Sequence, residues 1–212
     1  MRGTPLNPAF WEWFGDSQVR DAAGQPLVVY HGTSALDDFD TFRVHSEMGA
    51  HFGTARQAEG LVERLVDSSS SRALAGRRRW RIIRAYLSIQ HPLRLEDWGL
   101  FTAPFVVQQL QHRGLLPWER RYDFWQPFTV QQWLRQQGYD GLVYLNRREG
   151  YDEATYADIL EAEHHKGDRL SDAEWRARYP LAADSWVVFS PQQIKSVWNQ
   201  GTWAKDEGRM SL

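Results

Sequence analysis

A run of strand-forming residues, Leu27-Val28-Val29-Tyr30, ends in His31-Gly32-Thr33. A strand that stops at His-Gly presents an imidazole and a bare backbone, against which a flat polar ligand can lie without meeting a Cβ. A buried strand followed by an ordinary turn fits the same letters, because glycine is common punctuation. A second histidine lies between glycines in Gly49-Ala50-His51-Phe52-Gly53-Thr54, where a strand histidine satisfied by a neighbour is the plain alternative. Asn146-Arg147-Arg148-Glu149-Gly150 sets a carboxylate in a turn after a further β-forming run, with two arginines beside it to keep it ionised. Ser185-Trp186-Val187-Val188-Phe189, followed by Ser190-Pro191-Gln192-Gln193-Ile194-Lys195-Ser196, reads as a last strand and a strand-to-helix corner.

Other elements must position these residues. Residues 7–14 read as a short helix with Asn7 as cap and a proline in the first turn. Residues 16–24 form a loop into strand 27–31, and Gly49 to Gly53 forms a short strand. Thr54 caps a helix through Val66 with Ala58, Leu61, Val62, Leu65 and Val66 on one face. Arg79 to Ile89 alternates as a strand and, with His91-Pro92-Leu93, ends at proline. Residues 105–112 and 129–137 are helical, and Tyr139-Asp140-Gly141 turns into strand 142–145. A polar helical insertion over 151–180 carries a capping box at Ser171-Asp172-Ala173-Glu174, and strand 186–189 follows. Short strands with helices clustered between them make the class α+β.

At 212 residues the chain suits one compact domain, and 42% hydrophobic with 25% charged residues is ordinary for a globular protein. No run of 18 apolar residues occurs, so no membrane span is expected. Residues 1–8 lack the apolar core and cleavage site of a secretory signal. With no cysteine there are no disulfides, thiolate metal sites or cysteine nucleophiles, and a cytoplasmic location is expected. The formal net charge of −2 gives no global attraction to nucleic acid. Arg72, Arg77, Arg78, Arg79, Arg81 and Arg84 nevertheless cluster, either as a solvated face or as a patch for a phosphate-rich ligand, macromolecular or a dinucleotide pyrophosphate. The 11 tryptophans fit core packing or stacking on bases. The adjacent His164 and His165 diverge on a helix, so no metal is expected, and no hydrolase elbow or phosphate-binding glycine loop appears.

In their order, the His31-Gly32-Thr33, Gly49 to Gly53 and Ser185 to Ser196 blocks resemble the NAD-consuming ADP-ribosyltransferase fold. The likeness is to the small transferase domains of phage polyvalent proteins and bacterial toxins, and more distantly to the poly(ADP-ribose) polymerases. The polymerase motifs are His-Gly-Ser/Thr, Gly-x-Tyr-Phe and a last strand reading roughly Glu-Tyr-x-Val-Phe/Tyr. The phage-type domains add a lead-in like Phe14-Gly15-Asp16-Ser17 with Gly24-Gln25-Pro26, and an ending like Asn199-x-Gly201-Thr202. The resemblance implies a single domain over 1–212, a split β-sandwich with peripheral helices and a helical insertion at about 150–184. It implies NAD as substrate with no metal, and a macromolecular acceptor, protein or RNA. It also implies an antitoxin or immunity partner, no membrane, and the role of a phage or bacterial effector.

The resemblance also implies residue roles. Tyr30, His31, Gly32, Thr33, His51, Phe52 and Gly53 would line an NAD site between the ends of strands 27–31 and 49–53, where the His31 and His51 side chains converge, with His31 on a ribose hydroxyl and the Gly32 main chain on the nicotinamide amide. Thr33 would bond the amide or the ribose. His51 stands where the polymerases stack a tyrosine on nicotinamide. The leaving group is already a cation and needs no acid, so catalysis is positioning plus one carboxylate opposing the charge that develops at the ribose. The polymerase glutamate position is Ser185 here, with Asp184 before it. The phage-type Asn-x-x-Glu-Gly segment puts Glu149 forward instead, and loop entropy grows slowly enough for an insertion to separate it from the last strand. The resemblance thus puts Glu149 and His31 forward as the catalytic pair, with Asp184 or a residue of the insertion as the alternative carboxylate. An NAD glycohydrolase on the same fold, a class removing a 2′-phosphate from RNA, and a degenerate module that binds without turnover remain as alternatives.

Overall fold

Alternation decides the first sheet. In β3 (Arg81–Leu87), Ile83, Ala85 and Leu87 are buried while Ile82 is exposed. The computed structural model describes residues 6–33, 40–44, 48–68, 81–118, 126–165, 170–199 and 203–208, with the side chains of 64–68 and 163–165 left aside. β3 lies between β1 (Val29–Thr33) and β7 (Ile194–Ser196), antiparallel to both. The register Val29↔Ala85 and His31↔Ile83 puts the His31 side chain on the same face as these buried apolar residues. β1 continues to Thr33, paired with Arg81, so the expected stop at His-Gly is corrected: pairing with β3 carries Gly32 and Thr33 into the strand.

The second sheet has the order β2 (Ala50–Phe52), β6 (Asp184–Val188), β5 (Gly141–Leu145), β4 (Pro92–Arg94). Only β4 and β5 run parallel. All five residues of β5 are buried because both faces are covered. Val143, with Trp186 and Val188 of β6 and Ala50 and Phe52 of β2, meets the first sheet. Leu142, Tyr144 and Val187 meet α3 (Ala103–His112) and α4 (Pro127–Gln136) on the other side. The strand expected to run from Arg79 to proline is instead two strands. Asp140 accepts from Gln90 N (2.7 Å) and His91 N (2.8 Å), fixing the bend, and Pro92 opens edge strand β4, where its missing N–H costs no ladder bond.

The sheets are sewn together beside the histidines. Tyr30 N donates to Gly53 O (2.8 Å) and Gly53 N donates to Tyr30 O (2.9 Å). α1 (Pro8–Phe14) starts at Asn7, whose Oδ1 accepts from Phe10 N, and buries Phe10, Trp13 and Phe14 against Trp203. α2 (Ala55–Ser68) starts with a reciprocal cap: Gln57 N donates to Thr54 Oγ1 (3.2 Å) and Thr54 N to Gln57 Oε1 (2.7 Å). α5 (Glu153–His165) and α6 (Asp172–Arg178) lie between β5 and β6 in sequence, and the capping box expected at Ser171 and Glu174 is present. Among the described residues neither sheet closes into a barrel.

Candidate active site

The turn after β5 brings polar side chains onto the buried helical face of the second sheet. Asn146 closes the turn by accepting at Oδ1 from the backbone of Arg148 (3.0 Å) and Glu149 (2.9 Å). Its Nδ2 donates both to Glu149 Oε2 and to Ser185 Oγ, each at 3.0 Å. Ser185 lies on β6 opposite Tyr144 of β5, so antiparallel pairing puts the two side chains on one face. The Ser185 hydroxyl donates to Gln57 Oε1 (3.3 Å), and Gln57 Nε2 donates to Ala183 O (3.0 Å). The helix cap of α2 is therefore also a wall of this cluster. The Tyr144 side chain lies across the strand pair from Ser185, and its hydroxyl stands 3.2 Å from His51 Nδ1.

Electrostatics fix the protonation of this group. Burial, and next the charges of Glu149 and Asp97, push the Tyr144 phenol up, so it remains a hydrogen-bond donor. Burial, then the nearby His31, holds His51 down at about 4. His51 is neutral at pH 7, so one ring nitrogen carries a proton and Nδ1 shares a single hydrogen bond with the Tyr144 hydroxyl. The same shift links to stability. A histidine depressed from 6.5 contributes fully above that value and loses its contribution as pH falls towards 4. We expect the unfolding free energy to drop on the order of 2–3 kcal/mol between pH 7 and 4.5, and His51→Gln to flatten that slope. Urea denaturation at the two pH values checks this; an unaltered slope in the variant would place the acid sensitivity elsewhere.

His31 and His51 are neighbours but do not share a face. His31 Nδ1 donates to the His51 carbonyl oxygen (2.7 Å). The His31 ring packs against Phe42 and Phe52, with centroids at 5.0 and 5.3 Å. The His51 ring lies beside Phe101 and Tyr144 at 5.8 and 6.2 Å. Alternation along β2 is the cause, since Ala50 and Phe52 face the core and His51 faces away. The pocket expected from two converging imidazoles is thus corrected. Phe52, 1% exposed, is a core residue between the sheets.

The backbone builds the alternative. Tyr30 uses its N–H and C=O towards Gly53, so alternation points the Gly32 N–H and C=O along the same edge of β1, away from β3. On the face of the strand, a Cβ at Gly32 would stand 2.9 Å from Val62 Cγ2 and 3.0 Å from Ala58 O, so α2 rests directly on it. A Cβ at Gly53 would stand 2.2 Å from Gln57 Oε1 and 3.0 Å from Ser185 Oγ. Gly53 therefore touches both halves: the edge bearing Gly32 and the cluster of Ser185, Asn146 and Glu149. Thr33 ends β1 beside Arg81, and the Tyr30 ring lies under the Arg84 guanidinium at 5.9 Å.

The two candidate carboxylates have different surroundings. Asp184 accepts from Arg94 Nη2 and Arg176 Nη2, both at 2.7 Å, and ties α6 to the sheet edge. Glu149 is held by the Asn146 amide. Of the arginines expected to neighbour Glu149, Arg147 turns away: its Nη2 donates to Asp172 (3.0 Å) and its guanidinium lies 4.7 Å from the Trp175 ring centroid. Gln193 is a strap, accepting from Phe189 N and Ser190 N and donating to Ser88 O and Asp140 O. Arg72 and Arg77 to Arg79 lie outside the described residues. Tyr144 and Gln57 went unnoticed in the sequence. The Thr54-x-x-Gln57 box was a usable signal for Gln57; Tyr144 had none until its strand partner was known. Among the described residues no three His, Asp or Glu side chains form a metal-ligand group.

Two facing sheets sewn together at a His-Gly-Thr strand, with helices packed outside them, are the architecture of an ADP-ribosyltransferase domain. The family model described as ADP-Ribosyltransferase in polyvalent proteins matches residues 21–204, and the chain belongs to that family. Searches among curated proteins and among solved structures give no match.

Proposed function

We propose that this chain is an NAD-dependent mono-ADP-ribosyltransferase that modifies a protein or nucleic-acid acceptor, as a phage or bacterial effector working in the cytoplasm. The observation that carries the reading is the placement of Glu149: a carboxylate held by the Asn146 amide, which also bonds Ser185, across Gly53 from the backbone edge of Gly32. In this reading the nicotinamide amide pairs with the Gly32 N–H and C=O. Glu149 accepts from the 2″-hydroxyl of the nicotinamide ribose. The bond from C1″ to the pyridinium nitrogen breaks, and its electron pair leaves with neutral nicotinamide. The carboxylate opposes the positive charge left on the ribose. The acceptor nucleophile then bonds C1″ and loses its proton to the carboxylate or to water.

His31 fits a ribose contact on tautomer grounds. Burial lowers its pKa, opposed by the bond to His51, and with Nδ1–H given to the His51 carbonyl the Nε2 lone pair is left to accept from a hydroxyl. We expect His31→Ala to weaken NAD binding and transfer about tenfold or more, the worth of one or two hydrogen bonds. Calorimetric titration with NAD checks this, and wild-type affinity would remove His31 from the site. Incubation with labelled NAD tests the function itself. Label attached to a macromolecule supports transfer, label released as free ADP-ribose makes the chain a glycohydrolase, and intact NAD makes it a binding module.

A further inference from the structure

Every polar atom of Asn146 is engaged, and the residue is 2% exposed. Its N–H donates to Ala183 O (3.1 Å), its carbonyl accepts from the Tyr151 hydroxyl (3.0 Å), and Oδ1 caps the turn. The two protons of Nδ2 are the part that a turn alone does not need. A turn cap uses only Oδ1, so an aspartate would serve it equally. The Nδ2 protons go instead to Glu149, in the same turn, and to Ser185, on the neighbouring strand β6.

Resting on the reading of Glu149 given above, we propose that Asn146 is the positioning residue for the Glu149 carboxylate, anchoring it through one amide nitrogen to Ser185 on the neighbouring strand. The Glu149 side chain starts in a loop, where a carboxylate has many rotamers, and the site requires one of them. Ser185 is 3% exposed and is itself fixed by Gln57, so the anchor is rigid on the far side. The chain of contacts runs from the cap of α2 through Gln57, Ser185 and Asn146 to the carboxylate. The position of Glu149 is thereby set relative to Gly53.

The test is a double-mutant cycle with N146D and E149Q, read by urea denaturation and by kcat and KM for NAD. N146D keeps the turn cap but sets a carboxylate against Glu149. It is expected to destabilise the protein and to lower kcat about tenfold or more with KM within about threefold. In the double variant the amide introduced by E149Q can donate to the carboxylate introduced by N146D. Most of the lost stability should therefore return, and N146D should have no further effect on kcat. A double variant that folds where N146D alone does not counts for the proposal. Additive stability losses, or failure of both variants to fold, overturn it and leave Asn146 as a turn cap. The stability arm decides this without turnover, so a wild-type protein that leaves NAD intact contradicts the proposed function and not the positioning role.

Discussion

Glu149→Gln is expected to lower ADP-ribosyl transfer 100-fold or more, on the order of 3 kcal/mol, while NAD affinity changes little. The carboxylate opposes a charge that exists only as the glycosidic bond breaks, so its loss falls on turnover and not on ground-state binding. Glutamine keeps an oxygen for the Asn146 amide, so the turn should survive. The companion change Asp184→Asn should behave in the opposite way. It weakens the pairs with Arg94 and Arg176 that hold α6 to the sheet, so it should lower the melting temperature by a few °C and leave turnover within a few-fold. Steady-state kinetics and thermal melts on both variants separate the roles. The reverse order of severities would move catalysis to the start of the last strand.

Gly49→Ala is expected to cost about 3 kcal/mol or more, which for a domain of this size lowers the melting temperature by roughly 10 °C. Gly49 sits at φ +135, and a Cβ there would stand 2.2 Å from the Val188 carbonyl oxygen and 2.7 Å from Val187 Cγ1. The first of these is main chain of the strand that pairs with β2, so relief requires β2 to move. Since β2 carries His51 and leads to Gly53, the variant should lose NAD binding together with stability. Scanning calorimetry with and without NAD checks both, and a variant that melts like wild type would mean that the turn has another conformation.

Local chemistry was legible in the sequence. The caps at Asn7, Thr54 and Ser171 marked three helix starts, and period-two alternation marked β3. The His31-Gly32-Thr33, Gly49 to Gly53 and Ser185 to Ser196 blocks pointed to the family that residues 21–204 match. What the sequence hid was non-local. Strand order in both sheets pairs segments far apart in the chain, and nothing in β2 alone says which of its faces meets the core. For that reason the two histidines were expected face to face, whereas the backbone of one strand lies between their rings. The bend at Gln90 depends on Asp140, 50 residues on, and so reads locally as a continuing strand. Arg147 answers to Asp172, a partner inside the insertion that sequence proximity to Glu149 concealed.

The most direct measurement incubates the protein and its Glu149→Gln variant with a bacterial lysate and NAD labelled in the ADP-ribose, then digests the products separately with protease and nuclease. The account predicts label bound to macromolecules with the wild type, released by one of the two digestions, and at least about 100-fold less with the variant. Equal labelling by both proteins, or NAD left intact by the wild type, would contradict it.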